Sequence, residues 1–105
     1  MQMPVLFVGH GSPMNIIADN TYTRSMQNLG RTLPRPAAVL VISAHWQTKG
    51  SFVTAAANPP TIYDFYGFPP ALYREQYQAP GFPAIAERVR QVSQNRILPD
   101  GTRGI

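Results

Sequence analysis

The run Ala37-Ala38-Val39-Leu40-Val41-Ile42-Ser43-Ala44 restricts the fold more than any other feature of the chain. Hydrophobicity that is continuous rather than alternating, and rich in β-branched residues, suits a strand covered on both faces, as in a parallel sheet. A shorter run from Pro4 to Val8 has the same character and ends at Gly9. Both are read as central strands. Between them Asp19 or Asn20 is placed to cap a helix whose Tyr22, Met26 and Leu29 recur at i, i+4 and i+7, with Gly30 where a left-handed C-terminal residue is wanted. Strand, helix, strand with a right-handed crossover follows. Phe52 to Ala56 reads as a weaker third strand. The expected class is therefore α/β, a partial and mostly parallel sheet with flanking helices.

From Pro59 to Pro83, six prolines alternate with seven aromatic rings. Proline restricts the backbone and the rings supply broad apolar faces, so the stretch reads as an ordered, packed loop with at most a short helix near Pro70 to Tyr73. Pro83 suits the first position of a helix in which Ile85, Val89 and Val92 form one apolar stripe. Residues 93–105 have turn residues and no period, which predicts a divergent or poorly ordered tail after a domain of residues 1–92.

Composition excludes several functions. With 44% hydrophobic and 13% charged residues the chain is of the globular kind. The formal charge of +4 comes from scattered Arg and Lys rather than a dense stripe, which argues against a nucleic-acid partner. There is no cysteine, so disulfides and thiolate metal sites are excluded. The apolar start is too short to span a bilayer and has no basic leader, which predicts a cytoplasmic protein with no membrane partner.

Two histidines occur, and each follows an apolar run: His10 in Gly9-His10-Gly11-Ser12-Pro13 and His45 in Ser43-Ala44-His45-Trp46. Ligands of open α/β sheets gather at the carboxyl ends of strands, and neighbouring strands lie about 4.8 Å apart, so the two imidazoles could converge on one ion. Imidazole suits iron or zinc. The alternative is that His10 is a turn residue and His45 a hydrogen-bonded strand-end residue. Two imidazoles are too few for a catalytic centre, which needs a third protein ligand or a carboxylate. Of the five acidic residues, Asp19 reads as a cap, while Asp64 stands out among rings. Ser12 lacks the nucleophile-elbow pattern, and Pro13 removes the N–H an oxyanion hole would use. Trp46, Phe65 and Tyr66 are read either as packing residues or as walls for a planar substrate.

The motifs taken in order are more specific than their spacing. Gly9-His10-Gly11-Ser12-Pro13-Met14, Asp19-Asn20, Leu33-Pro34-Arg35-Pro36, Ser43-Ala44-His45-Trp46 and Thr61-Ile62-Tyr63-Asp64-Phe65-Tyr66-Gly67-Phe68-Pro69 closely resemble the amino-terminal portion of the 4,5-DOPA extradiol dioxygenase family, a branch of the class III ring-cleavage enzymes. The resemblance implies that His10 and His45 are metal ligands, to Fe(II) or Zn(II). It implies extradiol cleavage of a catechol by O₂, and substrate contact in the loop from Asp64 to Pro69, with Asp64, Phe65 and Tyr66; Trp46 joins these substrate contacts by its place beside His45. No residue is assigned as catalytic. Many relatives have histidine at the position of Tyr63, and family members continue with further ligands and acid-base residues, so this chain is expected to be truncated relative to the full domain. The competing expectation is an inactive metal-binding or structural α/β fragment, with self-association or a second chain as its possible partners.

Overall fold

The computed structural model describes residues 2–105. They form two units: one of residues up to Ala37 together with Phe65–Glu75, the other of Ala38–Asp64 together with Gln76–Ile105.

The first unit is helical. Pro13–Ile16 forms a 3₁₀ turn, and Ser12 caps it by accepting from the Met14 N–H at 3.2 Å. Helix α1, Thr21–Thr32, begins at Asn20. The Asn20 side chain accepts from Thr23 N at 2.9 Å and the Thr23 hydroxyl accepts from Asn20 N at 2.9 Å, so two otherwise orphaned donors are satisfied reciprocally. Asp19 pairs instead with Arg24 at 2.8 Å. The helix runs through Gly30 to a cap at Leu33, so Gly30 does not terminate it as expected. Pro34 follows that cap and cannot continue the helix. The short helix α2, Pro70–Tyr73, buries Leu72 and packs on the 3₁₀ turn.

In the second unit β1, Phe52–Thr54, pairs in parallel with β2, Leu98–Asp100, in the register Phe52↔Leu98, Val53↔Pro99 and Thr54↔Asp100. Parallel strands need a crossover, and α3, Pro83–Val92, lies within it and packs on both strands. Ala86 is its buried contact, while Ile85 and Val92 of the expected stripe are exposed. A side chain as small as alanine lets the helix backbone lie close to so short a sheet. Two left-handed residues, Gln94 and Asn95, stop the helix, and Asn95 N returns to the Arg90 carbonyl at 3.0 Å.

The fold is thus a small α/β arrangement with a two-stranded, open parallel sheet flanked by helices. Its strands are not the expected central ones. Residues 4–8 and 37–44 form no strand; Val5, Phe7 and Ile42 are almost wholly exposed and Val41 largely so. An apolar run becomes a strand only where a neighbouring strand takes up its N–H and C=O groups in a ladder, and no strand among the described residues pairs with either run. Residues 93–105, expected to lack regular structure, supply β2. No helix among the described residues is long and apolar enough to cross a membrane.

Candidate functional site

His10 sits in a loop of the first unit that is held from two sides. The Asn15 amide donates to the His10 carbonyl at 2.8 Å, and the Tyr22 hydroxyl donates to the Gly9 carbonyl. Gly11 has a φ of +67°, and a Cβ there would stand 2.9 Å from Asn15 Nδ2, so a side chain would be strained and would push away the amide that holds His10. Ring nitrogen Nδ1 of His10 lies 2.8 Å from the Gly11 carbonyl oxygen. Sequence reasoning missed Asn15 and Tyr22; the only signal was their closeness to the Gly-His-Gly motif.

His45 belongs to the second unit, in a turn closed by Trp46 N donating to the Ser43 carbonyl at 3.2 Å. The Ser43 hydroxyl accepts from His45 N at 3.2 Å. Its Nδ1 is 2.9 Å from Oδ2 of Asp64, with the side chains 59% and 39% exposed. Sequence reasoning placed Asp64 with the substrate contacts; the structure brings it to the histidine.

Within the second unit, the end of the chain joins the Trp46 turn to the segment from Pro60 to Asp64. Trp46 Nε1 donates to the Gly104 carbonyl at 2.8 Å, Ile105 N to the Pro60 carbonyl at 2.9 Å, and Ile62 N to the Ile105 carbonyl at 2.6 Å. Gly104 is buried, and a Cβ there would fall 1.9 Å from the Pro60 oxygen, so only glycine allows the approach. The tail is shaped from β2 onward: Asp100 Oδ1 accepts from Thr102 N at 2.9 Å, the Thr102 hydroxyl at 3.0 Å and Arg103 N at 3.0 Å. The backbone donors from Thr102 and Arg103 lead in holding the Asp100 carboxyl below its ordinary 3.8, because bonds to the ionised form favour it. The Thr54 hydroxyl then donates to the Arg103 carbonyl at 2.6 Å, and the Arg103 guanidinium lies 4.6 Å from the Trp46 ring centre. Arg103 Nε is buried without a hydrogen-bond partner among the described residues, so this cation–π contact is part of what offsets its desolvation.

Of the remaining predicted contacts, Phe65 packs edge-on to Phe68 at 5.5 Å and against Tyr73 at 5.2 Å, while Tyr66 is 91% exposed. The Tyr73 hydroxyl donates to the Phe65 carbonyl at 3.3 Å, which folds this loop on itself. An open cleft of about 530 Å³ in the second unit is lined by Asn58, Pro59, Pro60, Tyr63, Gln76 and Gln78 among others, and none of its lining residues is a histidine or carboxylate.

The imidazoles suit iron or zinc in kind, but the donor set falls short in number. No group of three or more His, Asp or Glu side chains comes together among the described residues, and in the His45–Asp64 pair the carboxylate is engaged by the ring. A complete metal centre does not fit these residues as they stand.

The chain is homologous to the 4,5-DOPA extradiol dioxygenase family, with the similarity covering most of this chain and part of its relatives. It is similar to the 4,5-DOPA dioxygenase extradiol of Escherichia coli (strain K12), with 64% identity over 88 residues, which is 84% of this chain and 32% of that protein. The 4,5-DOPA dioxygenase extradiol of Beta vulgaris is 40% identical over 89 residues, 82% of this chain and 33% of its own. The dioxygenase tasH of Hapsidospora irregularis is 37% identical over 94 residues, 79% of this chain and 29% of its own. The chain therefore spans about a third of the length of these curated relatives. No protein-family model matches it.

Proposed function

We propose that these residues carry two ligand-bearing loops of an extradiol dioxygenase site and, taken alone, form a catalytically inactive metal-binding or structural α/β piece. The observation that carries this reading is the donor count: the two imidazoles lie in separate loops, Asp64 stands beside His45, and no group of three or more His, Asp or Glu side chains comes together among the described residues. In this reading His10 and His45 are ligands to Fe(II) or Zn(II) in a site completed by groups that these 105 residues do not supply. Trp46, Asp64, Phe65 and Tyr66 lie at its substrate side, residues 1–92 are the amino-terminal part of the family domain, and 93–105 are a divergent tail.

The family activity, metal-dependent opening of a catechol by O₂ beside its hydroxyls, belongs to the completed site. The relatives' names support that chemistry, and DOPA is the substrate they suggest. The exposed apolar runs at 4–8 and 39–42 support a partner chain or self-association, since a covering surface would bury them. The protein in this reading is cytoplasmic.

The test is to purify the chain without oxygen, add Fe(II) or Zn(II), and measure bound metal together with O₂ uptake on L-DOPA and simple catechols. Substoichiometric metal and no turnover are expected. Tight one-to-one binding with metal-dependent O₂ uptake would refute the inactive reading. His10→Ala and His45→Ala should each weaken the residual binding; unchanged affinity in both removes the ligand assignment.

A further inference from the structure

The two imidazoles each meet an acceptor at the same ring nitrogen. At 2.8 Å from the Gly11 carbonyl oxygen, which can only accept, His10 Nδ1 has to carry the hydrogen. The Asp64 carboxylate, 2.9 Å from His45 Nδ1, imposes the same on the second ring. In a neutral imidazole one nitrogen donates and the other holds the lone pair, so the partner of one decides the role of the other. Ligating histidines commonly hand their second ring N–H to a carboxylate or a backbone carbonyl, and this chain has one of each.

We propose that Asp64 is a positioning residue for His45: its carboxylate fixes the Nδ1–H tautomer and the ring orientation, making Nε2 the basic nitrogen, as the Gly11 carbonyl does for His10. The functional meaning of this rests on reading His45 as a ligand; the tautomer itself does not. The segments that carry Asp64 and His45 are held by hydrogen bonds that involve neither of those two side chains. Residues 104–105 tie the Trp46 indole to one side and the Pro60–Ile62 strap to the other. A pair this exposed contributes little to stability, so its consequence is orientation.

The experiment is long-range ¹H–¹⁵N correlation on the full chain labelled at histidine, at pH 8, above the ordinary imidazole range. In the parent, both histidines should show a protonated Nδ1 and an unprotonated Nε2. In Asp64→Ala the Nδ1–H to Nε2–H ratio of His45 should fall about fivefold, the equivalent of one ordinary hydrogen bond, while the His10 pattern and Trp46 emission stay put. Asp64→Asn keeps a weaker, neutral acceptor of the same shape and should give an intermediate ratio even if the alanine variant folds poorly. A parent His45 protonated at Nε2, or a ratio unchanged in both variants, overturns the proposal. Zn(II) added alone separates this from the ligand reading: a loss of about 10- to 100-fold in affinity in Asp64→Ala supports both. A parent that shows the tautomer yet binds no Zn(II) retains the positioning role and defeats the ligand reading.

Discussion

Gly104→Ala is the sharpest perturbation of the arrangement around His45. The added Cβ would lie 1.9 Å from the Pro60 carbonyl oxygen, in a buried position where the nearest opposing atoms are backbone. Non-bonded carbon and oxygen need more than about 3 Å, so the tail has to move by about 1 Å or more. That displacement breaks the bonds from Trp46 Nε1 to Gly104, from Ile105 N to Pro60 and from Ile62 N to Ile105. At about 1 kcal/mol net for each, the loss is about 3 kcal/mol, a large share of the 5–15 kcal/mol typical of a folded domain.

Trp46 is the only tryptophan, so urea unfolding followed by its fluorescence reads the site directly. Gly104→Ala should lower the urea midpoint and shift the native emission to the red, because the indole loses its carbonyl partner and the Arg103 cover. Gly101→Ala is the control in the same tail: a Cβ there meets nothing within 4 Å, and the change should stay within about 0.5 kcal/mol. Equal midpoints and equal emission for Gly104→Ala and the parent would refute the claim that the chain end clamps these segments.

Asn20→Ala removes the side-chain half of the α1 capping box and should cost about 0.5–2 kcal/mol, seen as a lower denaturation midpoint and reduced helical circular dichroism. Unchanged helicity would count against the box. Asp100 gives an acid dependence: its folded carboxyl titrates below the ordinary 3.8, so its stabilisation is complete above that value and is lost as pH falls through the lower folded one. Trp46 emission should therefore shift red only in strong acid. Asp100→Ala should already be red-shifted at neutral pH and should lack that acid step. The metal and oxygen measurement and the histidine tautomer measurement complete the set.

The legible parts of this fold are local. Asn20 and Thr23 announce the start of α1 three residues apart, and proline at the first position of α2 and α3 sets the backbone angle those helices need. The strand read at Phe52 to Ala56 is present as β1, whereas the two expected central strands are absent for a non-local reason. Val39 to Ile42 and Val5 to Val8 record a need for two covered faces and two hydrogen-bonded neighbours, and pattern alone does not say whether the neighbours are present. Leu98-Pro99-Asp100 has no strand pattern, and it is a strand because Phe52–Thr54 offers it a partner. Gly30 sits inside α1 for the opposite reason: the continuing turn outweighs the cost of about 1 kcal/mol that a helical glycine carries relative to alanine.

The site divides the same way. His10 and His45 could be picked out because each sits in a compact motif, whereas the link from His45 to Asp64 depends on residues 103–105, which carry no periodicity. A glycine that admits a close backbone approach and a tryptophan that needs a carbonyl partner are both visible in the sequence, but their pairing arises only when the fold brings Gly104 to Trp46. In this chain the histidine comes from the family motif, while its loop is tied to the Asp64 strap by residues outside the motifs that carry the resemblance. Changes at Gly104 should consequently disturb Trp46 and the His45–Asp64 pair, and leave the His10 loop, with its own Asn15 and Tyr22 supports, unaltered.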